Sequence, residues 1–273
     1  FGDYNFGEEV DYEDPENPGL INHGKNRAAL SWYSIDRLFY GNSSLTPGNI
    51  NNEELSRASV SRVDYSELFP QTDLDFTQST TLSTLDLAYF PKERGSYNYD
   101  TDNIDILDGS LKNPEDRWGG ITRGLTTNDF QRANVEYIQF WVQDPYKDYD
   151  IKPEEGANGA LEKVGELFFN LGNISEDILK DGRKMYENGL PAASEEDNTD
   201  QTAWGKIPTN NTFLYAFTEL DEDRLVQDIG LDGLTDEVEA AKFPGVNPSD
   251  PSTDNYRFFR STEYDQQNAS IIT

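Results

Sequence analysis

The chain has 273 residues, and its 52 acidic against 22 basic residues give a net charge of −30 at pH 7. This balance argues against nucleic acid and anionic membranes as partners, because phosphate binding needs clustered lysine and arginine. The chain has no cysteine, which excludes disulfides, thiol nucleophiles and thiolate metal sites. Aromatic residues make up 12% of the sequence, which indicates a folded chain because disordered acidic segments are poor in aromatics.

The first 26 residues are crowded with acidic residues, proline, glycine and asparagine, and they predict an arm or a long loop. The chain opens without the apolar core of a signal peptide, and its start at Phe1 is typical of a segment of a longer polypeptide. Nowhere does an apolar run approach the roughly 18 residues of a membrane helix. The sequence therefore predicts a soluble portion of a larger protein.

Alternating apolar residues predict β-strands in several segments. The clearest are 28–33, 80–90, 135–143 and 166–171. In the segment 135–143, "VEYIQFWVQ", the even positions Ile138, Phe140 and Val142 predict a buried face. The odd positions, which include Tyr137 and Trp141, form an amphipathic face that a loop, a second layer or a ligand must cover.

Helical patterns follow the strands. Asn173 is placed to cap a helix that ends near Gly189, and a second helical region spans 220–243. Short aromatic strands between long polar loops predict a mainly-β fold, namely a jelly-roll-like β-sandwich with long loops and a few short helices. The predicted domains are an acidic arm (1–26), a β-sandwich (27–190), a polar linker (191–211) and an acidic helical segment with a closing strand (212–273).

Catalytic candidates are few. His23 is the single histidine, and it lies in a turn-like stretch without a serine nucleophile motif elsewhere in the chain. Glu136 is the one charged residue of a largely apolar strand and is the first candidate for a glycosidase carboxylate. With 52 acidic residues, however, carboxylate pairs arise by chance throughout the sequence. The sequence therefore predicts that the protein is not an enzyme.

One local motif resembles a calcium loop. The segment "DIGLDGLTDEVE" places Asp228, Asp232, Asp236 and Glu239 at positions 1, 5, 9 and 12, with Gly233 at position 6. The third position of the motif is a glycine, which supplies no side-chain ligand. The pattern makes Ca²⁺ the one candidate cofactor. The alternative is a helix–turn–helix corner in which the aspartates cap helices.

Aromatic side chains in polar surroundings provide a second candidate site. Its residues are Tyr137, Trp141, Tyr146 and Tyr149. Aromatic rings on an open sheet face are suited to stack on sugars or to contact a partner protein. The alternative is that these rings pack under their own loops.

Five blocks of sequence resemble a known family. They are "GKNRAALSWYSID" (24–36), "TLDLAYFPKERGSYNYD" (84–100), "RWGGITRGLTTNDFQRANVEYIQFWVQDPY" (117–146), "GELFFNLGNISEDILKDGRKMYENGLP" (165–191) and "RLVQDIGLDGLTDE" (224–237). Together they are similar to the SprA/Sov family, the giant outer-membrane translocon of the type IX secretion system in Bacteroidetes, which also serves gliding motility. The blocks are long and recur between Gly24 and Glu237, and the two ends of the chain carry less of the resemblance.

The resemblance implies a single-chain β-barrel that passes folded cargo to the cell surface. It also implies an outer-membrane shuttle protein, a periplasmic plug protein and secreted cargo as partners. Too few strands and too many acidic loops are present here for barrel wall, and large insertions in such barrels lie mainly on the extracellular side. We therefore expect a soluble, non-catalytic portion of an outer-membrane translocon, which shapes or gates the exit. We expect it on the extracellular side of the membrane and not on the periplasmic side. The alternative is a carbohydrate-binding or adhesin-like β-sandwich.

Overall fold

The structure is a computed structural model. It describes residues 24–41, 44, 46, 48–96, 98, 100–121, 125, 129–143, 165–171, 190–192, 194, 198–202, 205–209, 220, 223, 226–227, 234–247, 249–252, 255, 262–269 and 271. The chain divides into two compact units. Unit 1 comprises Phe1–Tyr33, Asp86–Ile121 and Ser175–Gln267, and unit 2 comprises Ser34–Leu85, Thr122–Ile174 and Asn268–Thr273.

Unit 1 contains an antiparallel strand pair. Strand β1 (Ala28–Tyr33) pairs with β2 (Asp86–Arg94), and the register places Leu30 opposite Tyr89 and Trp32 opposite Leu87. Directly opposed residues point to the same side of a sheet, so these four apolar side chains share one face. The sequence prediction of a strand at 28–33 is confirmed, and β2 lies further along the chain than the predicted 80–90.

A bulge interrupts this pair at one end. Ala29 lies opposite Phe90, whereas the preceding Ala28 lies opposite Arg94, so three residues of β2 have no counterpart in β1. The first of these is Pro91, which has no N–H to donate to a ladder and is therefore tolerated where pairing is broken. The bulged stretch pairs elsewhere, because the Leu111 N–H donates to the Lys92 carbonyl at 2.7 Å.

The described part of unit 1 includes further short elements. Strands β3 (Thr199–Thr202) and β4 (Gly205–Pro208) form an antiparallel hairpin within the stretch that the sequence predicts to be a linker. Helix α3 (Asp236–Lys242) falls within the predicted helical region. A final helix, α4, spans Thr262–Gln267. We label the helices α1 to α4 in chain order, and α1 and α2 belong to unit 2.

The apolar core is concentrated in unit 1. Its buried side chains come from β1, the 104–111 loop, residue 190 and the α3 region: Ala28, Ile104, Leu111, Leu190, Leu234, Phe243 and Val246. The sheet itself leaves much of its apolar face open, since Trp32 remains exposed. The core therefore rests on loops packed around one end of the strand pair.

Unit 2 consists of short helices and loops in the described residues. A 3₁₀ helix spans Arg37–Tyr40, and α1 (Asn52–Ser56) follows it. The Asn51 side chain caps α1 by accepting from the N–H groups of Glu53 and Glu54. Such a cap satisfies donors that the first helical turn leaves without partners.

Helix α2 (Tyr65–Leu68) is held by a capping box. The Asp64 N–H donates to the Glu67 carboxylate at 3.1 Å, and the Asp64 side chain accepts in return from the Glu67 N–H. Reciprocal capping of this kind fixes the start of a helix. Helix α2 is a single turn that begins with the aromatic residue Tyr65.

Two predicted strands are not strands in the structure. The segments 135–143 and 166–171 belong to unit 2, and neither carries a ladder to any residue that the structure describes. The described chain thus contains small antiparallel strand pairs, short helices and long loops. The predicted helix that begins at Asn173 lies outside the described residues, up to its end at Gly189.

No described helix is both long and apolar enough to cross a membrane.

Candidate binding surface

A tight turn determines where the segment 135–143 begins. The Val135 N–H donates to the Phe130 carbonyl, and the Asn134 N–H donates to the Gln131 carbonyl. Asn134 has a φ of 51°, which is the left-handed conformation. These two hydrogen bonds and the left-handed residue are the signature of a Schellman closure. Asparagine tolerates this conformation better than most residues, so the sequence itself ends the turn here.

Beyond this turn the chain presents apolar side chains to solvent on both faces. Tyr137 is 74% exposed and Trp141 is 66% exposed, and Ile138, Phe140 and Val142 on the other face are exposed as well. The prediction that the even positions form a buried face is therefore wrong. Burial requires a covering layer, and no described strand or helix of unit 2 shields either face of this segment.

Aromatic contacts link this segment to two other parts of unit 2. The ring of Phe140 lies 4.8 Å from that of Phe169, and the ring of Trp141 meets Phe69 edge-on at 6.4 Å. Phe69 in turn contacts Tyr65 in α2 at 4.9 Å. Distances and tilts of this kind are typical of favourable aromatic pairs. We call Phe69, Tyr137, Phe140, Trp141 and Phe169 the aromatic surface.

The segments that supply the aromatic surface also carry acidic residues. Glu136 and Glu166 lie within the two segments that supply its rings, and Asp129 begins the turn before them. Contiguous exposed apolar groups rimmed by polar residues usually mark a binding surface. Rings and carboxylates in this arrangement are suited to bind an apolar or cationic partner.

The predicted aromatic site is present only in part. Tyr137 and Trp141 share one alternating face and are both exposed, as the sequence analysis expected of a platform. Tyr146 and Tyr149 lie outside the described residues. The sequence analysis did not find Phe69 or Phe169. The apolar run "LFF" (167–169) was the available signal for Phe169. No local sequence pattern connects Phe69 with Trp141.

The predicted calcium ligands are described only in part. Asp228 and Asp232 lie outside the described residues. Asp236 and Glu239 both belong to α3, where Glu239 is buried. Burial raises the pKa of Asp236, the nearby Asp250 charge adds to this, and a hydrogen bond from Asn255 opposes it. Among the described residues, no three carboxylate or histidine side chains converge on a metal-sized site.

Only one of the two catalytic candidates lies in the described residues. His23 lies outside the described residues. Glu136 is exposed on the segment 135–143.

A buried polar cluster in unit 1 is the other concentration of functional groups. Arg117 Nη1 lies 3.5 Å from the Asp100 carboxylate, and the same atom donates to the Lys25 carbonyl at 2.7 Å. Asn98 Nδ2 donates to the carbonyls of Lys25 and Arg27 at 3.0 and 2.6 Å. These hydrogen bonds all lie within unit 1. The cluster therefore anchors the start of β1 to the loop after β2.

The Asp100 carboxylate is fully buried and accepts several hydrogen bonds. Burial alone would raise its pKa, but the N–H groups of Asp102 and Asn103, the Asn103 side chain and the Arg117 charge together lower the pKa of this carboxyl below its usual value. Asp100 is thus held as a charged structural residue.

No protein-family model matches the chain, and no curated protein matches it significantly.

Proposed function

We propose that the chain is a soluble, non-catalytic portion of an outer-membrane protein-secretion translocon that contacts partner or cargo proteins. The resemblance to the SprA/Sov family supports this proposal. The observation that carries it is the aromatic surface, because four of its five residues fall within two of the resembling blocks, 117–146 and 165–191. An exposed apolar surface of this kind suits a protein that works by contact.

The remaining features of the chain agree with this role. A net charge of −30 repels acidic cargo and discourages adsorption to an anionic surface. Shaping or gating an exit requires no catalytic group, and the proposal includes none. The location that follows is the outer membrane of a Gram-negative bacterium, with this portion on the extracellular side.

The same proposal extends to the fold. We propose that the segments 135–143 and 166–171 become strands of a jelly-roll-like β-sandwich when their partners are present. Their composition is the support, since short segments with apolar, aromatic and β-branched residues on both faces are typical of strands with two covered faces. Amide hydrogen exchange of this chain within the full-length protein tests it, and unprotected amides in both segments would contradict it.

The experiment for the function uses the source cell. This portion is deleted from the full-length protein, arrival of the remaining protein in the outer membrane is confirmed, and the secreted proteins are assayed. We expect secretion to stop. If secretion continues while adhesion or glycan binding is lost, this portion is instead an accessory binding module.

A carbohydrate-binding or adhesin-like function is the second candidate. The observation in its favour is that Tyr137 and Trp141 are exposed on one face at i and i+4 of an extended segment. A glycan array tests it with Trp141→Ala, and Trp32→Ala is the matched control because Trp32 is exposed in unit 1. A glycan signal lost only with Trp141→Ala would favour this candidate.

A further inference from the structure

Residues 136–143 have neither backbone partners nor covered side chains among the residues that the structure describes. After the Val135 N–H, no backbone or side-chain hydrogen bond joins residues 136–143 to any residue that the structure describes. The segment is nevertheless held in place, by the Schellman closure before it and by ring contacts from Phe140 and Trp141. It is thus a row of backbone donors and acceptors without a partner in the part of the chain that the structure describes.

Such a row has one good complement. A polypeptide in extended conformation presents the same donors and acceptors at the same spacing, and an exposed strand edge is a ready template for it. Sugars match a few of these groups, and hydrocarbon chains match none. The segment also carries apolar side chains on both faces, as does a strand whose two faces are covered.

Charge selects among extended polypeptides. Glu136 lies in the segment itself, Glu166 in the neighbouring one, and the whole chain carries a charge of −30. A second copy of this chain would bring an equal negative charge to the same edge, which opposes pairing. A strand flanked by lysine or arginine meets complementary charge instead.

We infer that residues 136–143 bind an extended, basic-flanked segment of another protein by β-strand addition, with Tyr137 and Trp141 contacting its side chains. This inference deepens the proposed function, on which it rests for the identity of the partner as a secretion component or cargo. The binding itself is independent of secretion and can be measured on the purified chain.

The test uses a synthetic probe because the natural segment is unidentified. The probe is a peptide of about ten residues, with alternating valine and threonine and two lysines at each end. We expect it to bind the full 273-residue chain and to slow amide hydrogen exchange within 136–143. A matched peptide with N-methylated valines keeps the side chains and the charge but loses backbone N–H donors. We expect its affinity for the chain to be lower by a factor of about ten or more.

Three variants separate the backbone from the rings. Phe140→Pro removes one N–H and one ring. We expect that the peptide then no longer slows amide hydrogen exchange within 136–143. Phe140→Val keeps the N–H and is expected to retain most of the binding. Phe76→Pro is the matched control, since Phe76 is 96% exposed and lies at the second position of the turn closed by the Gln78 N–H and the Asp75 carbonyl.

Each alternative has its own result. Equal affinity for the N-methylated peptide, or no slowed exchange in 136–143, would overturn the inference. So would a dimer with 136–143 already protected, which would assign the edge to a second copy, or protection by neutral phosphatidylcholine vesicles alone. If the peptide result holds but the deletion leaves secretion intact, the binding edge stands and the secretion role fails.

Discussion

The guanidinium carbon of Arg94 lies 4.0 Å from the centre of the Phe243 ring. Arg94 ends β2 and Phe243 follows α3 directly, so the contact connects the end of the strand with the end of the helix within unit 1. Both side chains are buried. A cation over a desolvated ring face is attracted by the negative potential of that face. The pair is therefore both an apolar and an electrostatic connection in the core.

Truncating this ring is expected to destabilise the protein. Phe243→Ala removes the bulkiest fully buried apolar side chain among the described residues and leaves a cavity under Arg94. We expect the free energy of unfolding to fall by about 3–5 kcal/mol, as measured by urea denaturation. Phe76→Ala is the control, because an exposed ring has little to lose, and its change should stay within about 0.5 kcal/mol. Equal losses in the two variants would contradict the assignment of Phe243 to the core.

The buried carboxylate of Asp100 predicts a pH-dependent stability. Because its pKa is lowered in the folded chain, the charged form stabilises the fold above the unfolded pKa of about 4, and this contribution is lost as the pH falls through the lowered value. We expect Asp100→Asn to reduce the free energy of unfolding by about 1–3 kcal/mol at pH 7. Below about pH 4 the difference between the two proteins should shrink.

The control for this measurement is Asp102→Asn. Asp102 is largely exposed and pairs with Lys25 at 3.1 Å on the surface. Exposed ion pairs contribute little, so we expect a change of at most about 1 kcal/mol. We expect the stability of the wild-type protein to fall more steeply in acid than that of Asp100→Asn. Equal slopes would contradict the assignment of Asp100 as a buried, charged carboxylate.

The local sequence pattern predicted β1 and part of β2, because the alternation of apolar residues is a property of each strand's own sequence. The pairing of Trp32 with Leu87 follows once both strands are recognised. The hairpin β3–β4 was missed because its sequence, "TDQT" and "GKIP", has no alternating apolar residues. The segment 135–143 shows the opposite case. Its alternation is that of a strand, but a ladder also needs a partner strand, which no local pattern contains.

The aromatic surface was predictable to a similar extent. Tyr137 and Trp141 stand at alternating positions of one segment, so their shared face follows from the period of a strand. The contact between Trp141 and Phe69 depends on how α2 packs in unit 2. Contacts between segments that are distant in sequence are set by tertiary packing, and a single sequence carries no direct record of them.

Calcium binding by the segment 228–239 remains a prediction with a simple test. If the loop binds Ca²⁺, then adding calcium should raise the thermal midpoint and a chelator should reverse the increase, because a ligand of the folded state stabilises it. Asp232→Asn should abolish the calcium-dependent shift, since Asp232 is one of the ligands that the sequence motif predicts. A midpoint that calcium and chelator leave unchanged would end the hypothesis.

Two adjacent glycines test how closely the loop after the 3₁₀ helix Pro114–Asp116 approaches the β1–β2 pair. A Cβ atom on Gly119 would lie 2.9 Å from the Leu30 Cβ and 3.1 Å from the Tyr89 ring, which is too close without movement of the strand pair. We expect Gly119→Ala to lower the free energy of unfolding by about 1–3 kcal/mol. Gly120→Ala is the matched control, because its Cβ would meet only the Trp118 ring at an ordinary 3.7 Å. Urea denaturation of the two variants side by side measures the difference, and equal stabilities would show that Gly119 does not pack against this face.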